Sequence, residues 1–357
     1  MRPLALIAAS LTCGVLAAQP AKTFVNPLLT GGPDPFVTWR GGFYYYMSTT
    51  GNGLVIRRTK SLGGLAEAER REVWHAPASG PYSHDVWAPE LHFLAGKWYI
   101  YFAADAGTNE SHRIWVLENA SPDPLQGDWV LKGKAADPSD RWAIDATVFE
   151  QGGKLFLVWS GWEGAVNTAQ NLYLAEMSNP WTVKGDRVRI STPEFPWERV
   201  GDLKLRDPEA NPGLDPMQPP HVDVNEGPAV LQRNGRIFVI YSAGGCWTDS
   251  YSLGMLTAED TSDLRNPASW RKSPIPVFWQ SPKAEAFGPG HNSFFRSPDG
   301  AEDWIVYHAN AASGQGCGGR RAPRAQRFTW KSDGTPDFGR PVPAGVPIPL
   351  PAGELRQ

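Results

Sequence analysis

Three carboxylates occupy corresponding places along this chain. Asp34 in GGPDPFV, Asp145 in AIDATVFEQ and Glu226 in VNEGPAVLQ each open an extended apolar or aromatic block. Hydrolysis of a glycosidic bond needs a carboxyl pair of this kind, one protonated to release the leaving group and one ionised to activate water. Asp34 stands between Pro33 and Pro35, a rigid setting that suits a group aimed at a water, although an aspartate beside proline can equally cap a turn. Asp145 is flanked by Ile144, Ala146 and Val148, and an unpaired aspartate buried among them would be costly. It therefore needs a partner or a task. Glu226 follows Asn225 and precedes Gly227-Pro228, again where a strand begins.

The elements that must bring these residues together are legible as a repeat. Two further blocks open on Glu90 in DVWAPELHF and His291 in GPGHNSFF, and each of the five is followed about 8 to 13 residues later by a hydrophobic strand: FYYYMS, WYIYFAA, LFLVWS, IFVIYS and WIVYHA. Such repetition is typical of a propeller or solenoid. In a propeller the innermost strands converge on one axis, so residues at one repeat position meet there. The expectation is an all-β, five-bladed β-propeller with blades near 33–84, 85–142, 143–222, 223–286 and 287–340, forming one catalytic domain over 24–357. Ala95-Gly96, Gly152-Gly153 and Asn234-Gly235 read as hairpin turns. No stretch sustains helical periodicity over three turns. The proline-rich segment from Val200 to Pro220 reads as an insertion bordering the site, and the proline-rich tail from Pro341 as a surface segment.

A formal net charge of −3 and a pI near 6.2 give no general attraction to nucleic acid or an anionic membrane, so a neutral partner is expected. The chain carries 16 Trp, 15 Phe and 10 Tyr, enough to build inter-blade cores and to leave rings free for stacking on sugar faces. Residues 1–18, with Arg2 ahead of an apolar run from Leu4 and small residues before Gln19-Pro20, read as a secretory signal peptide, which implies a secreted or periplasmic protein. Cys246 and Cys317 then remain in the exported chain, where they can pair as a disulfide or stay as buried thiols.

The GGPDPFV, AIDATVF and VNEGPAV blocks resemble the three catalytic blocks of glycoside hydrolase family 43, whose members are five-bladed β-propellers. The resemblance extends to DVWAPELHFLAGKWYIYFA, GPGHNSFF, YHAN and RAPRAQRFTW, and so covers most of the chain. It implies Asp34 as general base, Asp145 as pKa modulator and orienter, and Glu226 as general acid in an inverting mechanism. It also implies that Arg324 in RAPRAQRF hydrogen-bonds the terminal sugar and the carboxylates, although Arg320 and Arg321 leave that register open. His291 would lie beneath the substrate and contact an axial calcium ion, directly or through water. A purely structural histidine is the alternative, since one imidazole is no calcium cage. Trp87 and Trp162 are candidate stacking platforms or packing residues. Glu90 is expected to be structural or a rim contact, and His308 a packed residue behind the site.

The activity implied is an exo-acting α-L-arabinofuranosidase working on plant cell-wall arabinan or arabinoxylan side chains, with no cofactor required for the chemistry. β-Xylosidase and endo-arabinanase share the same three carboxylates and remain open. A non-catalytic sugar-binding propeller is disfavoured because no carboxylate of the three is missing.

Overall fold

The computed structural model describes residues 22–200 and 222–354; the expected signal peptide and nearly all of the expected insertion lie outside the described residues. The architecture is all-β, and helix among the described residues amounts to four single 3-10 turns. Among the described residues no helix is long and apolar enough to cross a membrane. Five four-stranded antiparallel units follow one another. Unit one comprises Phe36–Arg40, Phe43–Met47, Gly53–Thr59 and Glu69–His75. Unit two comprises His84–Leu94, Lys97–Asp105, Arg113–Asn119 and Val130–Lys134. Unit three comprises Ala143–Gln151, Lys154–Trp162, Ala169–Asn179 and Thr182–Ser191. Unit four comprises Asp223–Arg233, Arg236–Ala243, Ser252–Glu259 and Arg271–Lys272. Unit five comprises Phe287–Arg296, Asp303–Asn310, Ala322–Trp330 and Pro336–Asp337. Units three and four are joined into one sheet where Ala169 and Gln170 pair in parallel with Asp223 and Val224.

Local chemistry explains why these segments are strands. The runs are rich in aromatic and β-branched residues, and the first hairpins of units one to four use turns whose two central residues both have positive φ, as at Asn234 (φ 49°) and Gly235 (φ 77°). That turn fixes the register Arg233↔Arg236 and hence which side chains of the hairpin face each neighbouring unit.

The units pack face to face, with a buried cluster at every junction. Met47, Ile56, Leu91 and Ile100 lie between units one and two, and Tyr101, Val116, Val148 and Leu157 between two and three. Val158, Leu174, Val239 and Leu256 fill the junction of three and four, and Phe238, Ile240, Ile305 and Tyr307 that of four and five. Val306, Trp304, Val37 and Tyr44 join unit five back to unit one. Each such side chain contributes about 1.5–3 kcal/mol by leaving water. The first strands are neighbours in the same cyclic order, unit five again meeting unit one.

The C-terminal segment is more than the surface run expected from its prolines. Ile348–Pro349 pairs antiparallel with Thr23–Phe24, and Ile348 enters the cluster between units five and one.

The repeat reading needs one adjustment. In units two to five the first strand carries a bulge whose leading residue has left-handed φ: Ala88 (45°), Asp145 (57°), Gly227 (52°) and His291 (46°). Asp34 (φ 58°) stands just ahead of the first strand of unit one. Glu226 therefore sits one residue before its unit's bulge, and Glu90 lies two residues beyond its own. Bulges bend the strand and re-aim side chains; here they occur where the first strands approach one another.

Candidate active site

A cavity of about 710 Å³ opens at that end of the first strands, and Asp34, Asp145, Glu226 and His291 line it together with Trp87, Trp142 and Arg321. Residues far apart in sequence, one each from units one, three, four and five, thus share one wall.

Asp34 is the most heavily engaged. Arg321 Nη1 donates to Oδ1 at 3.0 Å and Thr49 Oγ1 donates to Oδ2 at 2.6 Å. The main-chain N–H of Asp34 donates to His308 Nδ1 at 3.0 Å, so that ring nitrogen is unprotonated. His291 Nδ1 lies 3.3 Å from Oδ1. Burial alone would raise the Asp34 carboxyl, but the Arg321 guanidinium and the Thr49 hydroxyl outweigh it and hold the group well below the usual carboxylate range. His308 itself is kept neutral chiefly by its own burial.

Asp145 and Glu226 form a coupled pair in the opposite sense. Asp145 Oδ2 accepts from the N–H of Gly227 at 3.0 Å, the residue after Glu226. Burial, then the charge of Glu226, pushes the Asp145 carboxyl up. The Glu226 carboxyl is pushed up to about 7, first by burial and further by Asp34, against the Tyr251 hydroxyl and Arg321. Tyr251 donates to Glu226 Oε1 at 2.8 Å. Asn225, just before Glu226, is fixed in turn: Ser160 Oγ donates to its carbonyl at 3.0 Å, Ser191 Oγ donates to Oδ1 at 2.6 Å, and Nδ2 donates to Glu198 Oε1 at 2.9 Å. Glu198 is fully buried and paired with Lys272 at 2.9 Å. The main chain that carries Glu226 therefore has little freedom to shift.

The aromatic expectations divide. Trp87 lines the cavity, its ring stacked on His112 at 4.1 Å. Trp162 does not: it is 2% exposed and lies behind Trp142, the rings parallel at 4.7 Å, so Trp142 presents the surface that was expected of Trp162. Arg324 also needs correction. Its guanidinium donates to the carbonyls of Ala284, at 3.0 Å, and Glu285, away from the cavity, because its position inside the strand Ala322–Trp330 directs it into the junction with unit four. The arginine on the carboxylate is Arg321, immediately before that strand. Glu90 is buried against His92 Nε2 at 2.8 Å and does not line the cavity. His308 is fully buried behind Asp34.

Calcium takes six to eight oxygen ligands. Around His291 the nearest carboxylate, Asp34, is already engaged by Arg321 and Thr49, and among the described residues no cluster of three His, Cys, Asp or Glu is arranged to hold a metal. These side chains do not fit a direct calcium cage.

Sequence reasoning missed Trp142, Tyr251, Thr49 and Trp247. Trp142 had a usable signal, lying three residues ahead of Asp145 in the same block. The others lie on loops or at the start of outer strands, where no periodicity marks them.

The model of the glycosyl hydrolases family 43 matches residues 24–336. The chain belongs to this family. It is 40% identical over 338 residues to an extracellular exo-α-(1→5)-L-arabinofuranosidase of Streptomyces avermitilis, covering 92% of this chain and 66% of that one. A protein of the same description from Streptomyces chartreusis is 41% identical over 302 residues, covering 83% of this chain and 85% of the relative. The crystal structure of an α-L-arabinofuranosidase from Lactobacillus brevis superposes with a TM-score of 0.80 at 39% identity, covering 90% of this chain and 98% of that one. Family membership agrees with a cavity in which one carboxyl is held below and two are pushed above the usual carboxylate range.

Proposed function

We propose that this family 43 hydrolase is an inverting, exo-acting α-L-arabinofuranosidase. The observation that carries the reading is that Asp34, in contact with Arg321 at 3.0 Å and held below the usual carboxylate range, and Glu226, pushed up to about 7 by burial, line one cavity. Asp34 removes a proton from a water as its oxygen attacks the anomeric carbon. Glu226 donates its proton to the departing glycosidic oxygen as that bond breaks, and the configuration inverts. With Tyr251 donating to Oε1, Oε2 is the oxygen free to carry that proton. Asp145 accepts the Gly227 N–H and so fixes the main chain beside the acid, while the charge of Asp34 adds to burial in favouring the acid's protonated form. Trp87 and Trp142 line the cavity with apolar rings suited to the C–H surfaces of a sugar, and His291 lines it beside Asp34.

The identities of about 40% to named exo-arabinofuranosidases support arabinose release over β-xylosidase or endo-arabinanase action. Arabinan and arabinoxylan side chains are the substrates we propose. The extracellular relatives and the apolar leader favour export. The cyclic order of the five first strands favours one five-bladed propeller as the catalytic domain.

Hydrolysis of 4-nitrophenyl α-L-arabinofuranoside, followed by NMR of the first-formed sugar, tests the activity and its stereochemistry. Linear arabinan should yield arabinose alone from the outset. Early oligosaccharides, or a retained anomer, would refute the reading. The chemistry described needs no metal, so exhaustive dialysis against EDTA should leave kcat unchanged; a loss restored by calcium would assign His291 a water-mediated ion.

A further inference from the structure

The loop of residues 311–321 joins the second and third strands of unit five and ends on Arg321. It has glycine at 314, 316, 318 and 319, a composition with no conformational preference of its own. Nevertheless it must keep Arg321 within 3.0 Å of Asp34, across the junction between units five and one.

One covalent tie falls inside this glycine run. Cys317 is bonded to Cys246 in the 244–251 loop of unit four, with Cα atoms 5.2 Å apart. The same two loops also meet at Asp249, whose carboxylate accepts from the Gly314 N–H at 3.0 Å and from the Ser313 hydroxyl. Those bonds are exposed and lie on the far side of the glycine run from Arg321. From Cys317 onward the chain turns through an Arg321 N–H to Gly318 O bond of 3.2 Å, and Arg321 O accepts from the Gly32 N–H at 3.1 Å. Gly319 packs so closely on Gly31 that a Cβ there would meet its carbonyl at 2.5 Å. Cys246, Trp247 and Cys317 all line the catalytic cavity, and the Trp247 ring lies directly against Gly245.

We infer that the Cys246–Cys317 cystine is a positioning element of the reaction: it holds Arg321 against Asp34. This rests on the hydrolase reading above, and turnover by the oxidised wild type tests that reading separately.

The test compares oxidised wild type, wild type assayed in a phosphine reductant, and Cys246→Ser/Cys317→Ser, each with Arg321 intact or as Arg321→Ala, on 4-nitrophenyl α-L-arabinofuranoside. Displacement of a reacting group by an ångström costs up to about a hundredfold, so the cystine-free forms should lose about tenfold or more in kcat at a temperature well below their Tm. Reoxidation of the reduced wild type should restore it. In the Arg321→Ala background, loss of the cystine should change kcat by less than about twofold, because the group it positions is gone. A cystine that only stabilises the fold would lower Tm and leave kcat unchanged. That result, or losses that multiply in full in the combined variant, would overturn the inference. Should the serine variant not fold, the reduced wild type decides the matter, since it is made from folded protein.

Discussion

Tyr251 donates a 2.8 Å hydrogen bond to Glu226 Oε1, so the proposed acid is held by a neighbour that favours its charged form, while burial favours its neutral form. Burial prevails, but the balance is adjustable. Tyr251→Phe removes the opposing interaction, so the Glu226 pKa should rise above about 7 and the alkaline limb of the kcat/KM profile should move to higher pH. Turnover should fall by about tenfold as the carboxyl loses its orientation. A pH profile of the variant checks both; an alkaline limb moved downward would show that Tyr251 supports the protonated form instead.

Arg321 has the opposite effect on Asp34. Removing the guanidinium in Arg321→Ala lets burial dominate, so the Asp34 carboxyl rises and the acidic limb moves to higher pH. Losing a charged contact to the base should cost about a hundredfold in kcat/KM. Arg324→Ala should instead lower Tm while leaving the pH profile in place, because its guanidinium serves the carbonyls of Ala284 and Glu285.

The division of labour between the carboxylates is tested by the leaving group. Glu226→Ala should be crippled on natural linkages, whose alkoxide must be protonated, and lose far less on dinitrophenyl glycosides. Asp34→Ala should lose activity on both, with azide restoring part of it. Equal losses for Glu226→Ala across all leaving groups would remove Glu226 as the acid.

A buried acid kept neutral is also a cost at alkaline pH. The Glu226 carboxyl goes from 4.5 to about 7 on folding. Its stabilising contribution is therefore full below pH 4.5 and is lost as pH rises through about 7. Glu226→Gln should accordingly gain stability relative to the wild type between pH 5 and 8, by up to about 3 kcal/mol. Chemical denaturation at the two pH values measures this, and a gap that does not widen with pH would contradict it.

What the sequence could reveal followed from chemistry that is local. Asn234-Gly235 and Gly152-Gly153 marked hairpins because few residues other than glycine and asparagine adopt consecutive positive φ, and the unit boundaries fell close to the strands observed. The three carboxylates were visible because each interrupts apolar surroundings. Arg321 and Arg324 were not separable, because strand alternation fixes which side of a strand a residue faces but not whether that side meets a cavity or another sheet. Trp162 was singled out and Trp142 passed over for a related reason: both belong to one stack, and only its depth decides which ring meets the cavity. The left-handed bulges at Asp145, Gly227 and His291 break the two-residue period, which is why Glu226 proved to be one residue out of step with the repeat.

The pairing of Thr23–Phe24 with Ile348–Pro349 has a mechanical consequence. It latches the junction between units five and one, the same junction across which Asp34 meets Arg321, His308 and His291. Since the Leu350 N–H reaches the Lys22 carbonyl at 3.0 Å, a short linker could join the two segments and new ends could be cut at the exposed Gly152-Gly153 turn. In such a circular permutant the break in the chain would be moved away from the base to a hairpin between strands of unit three.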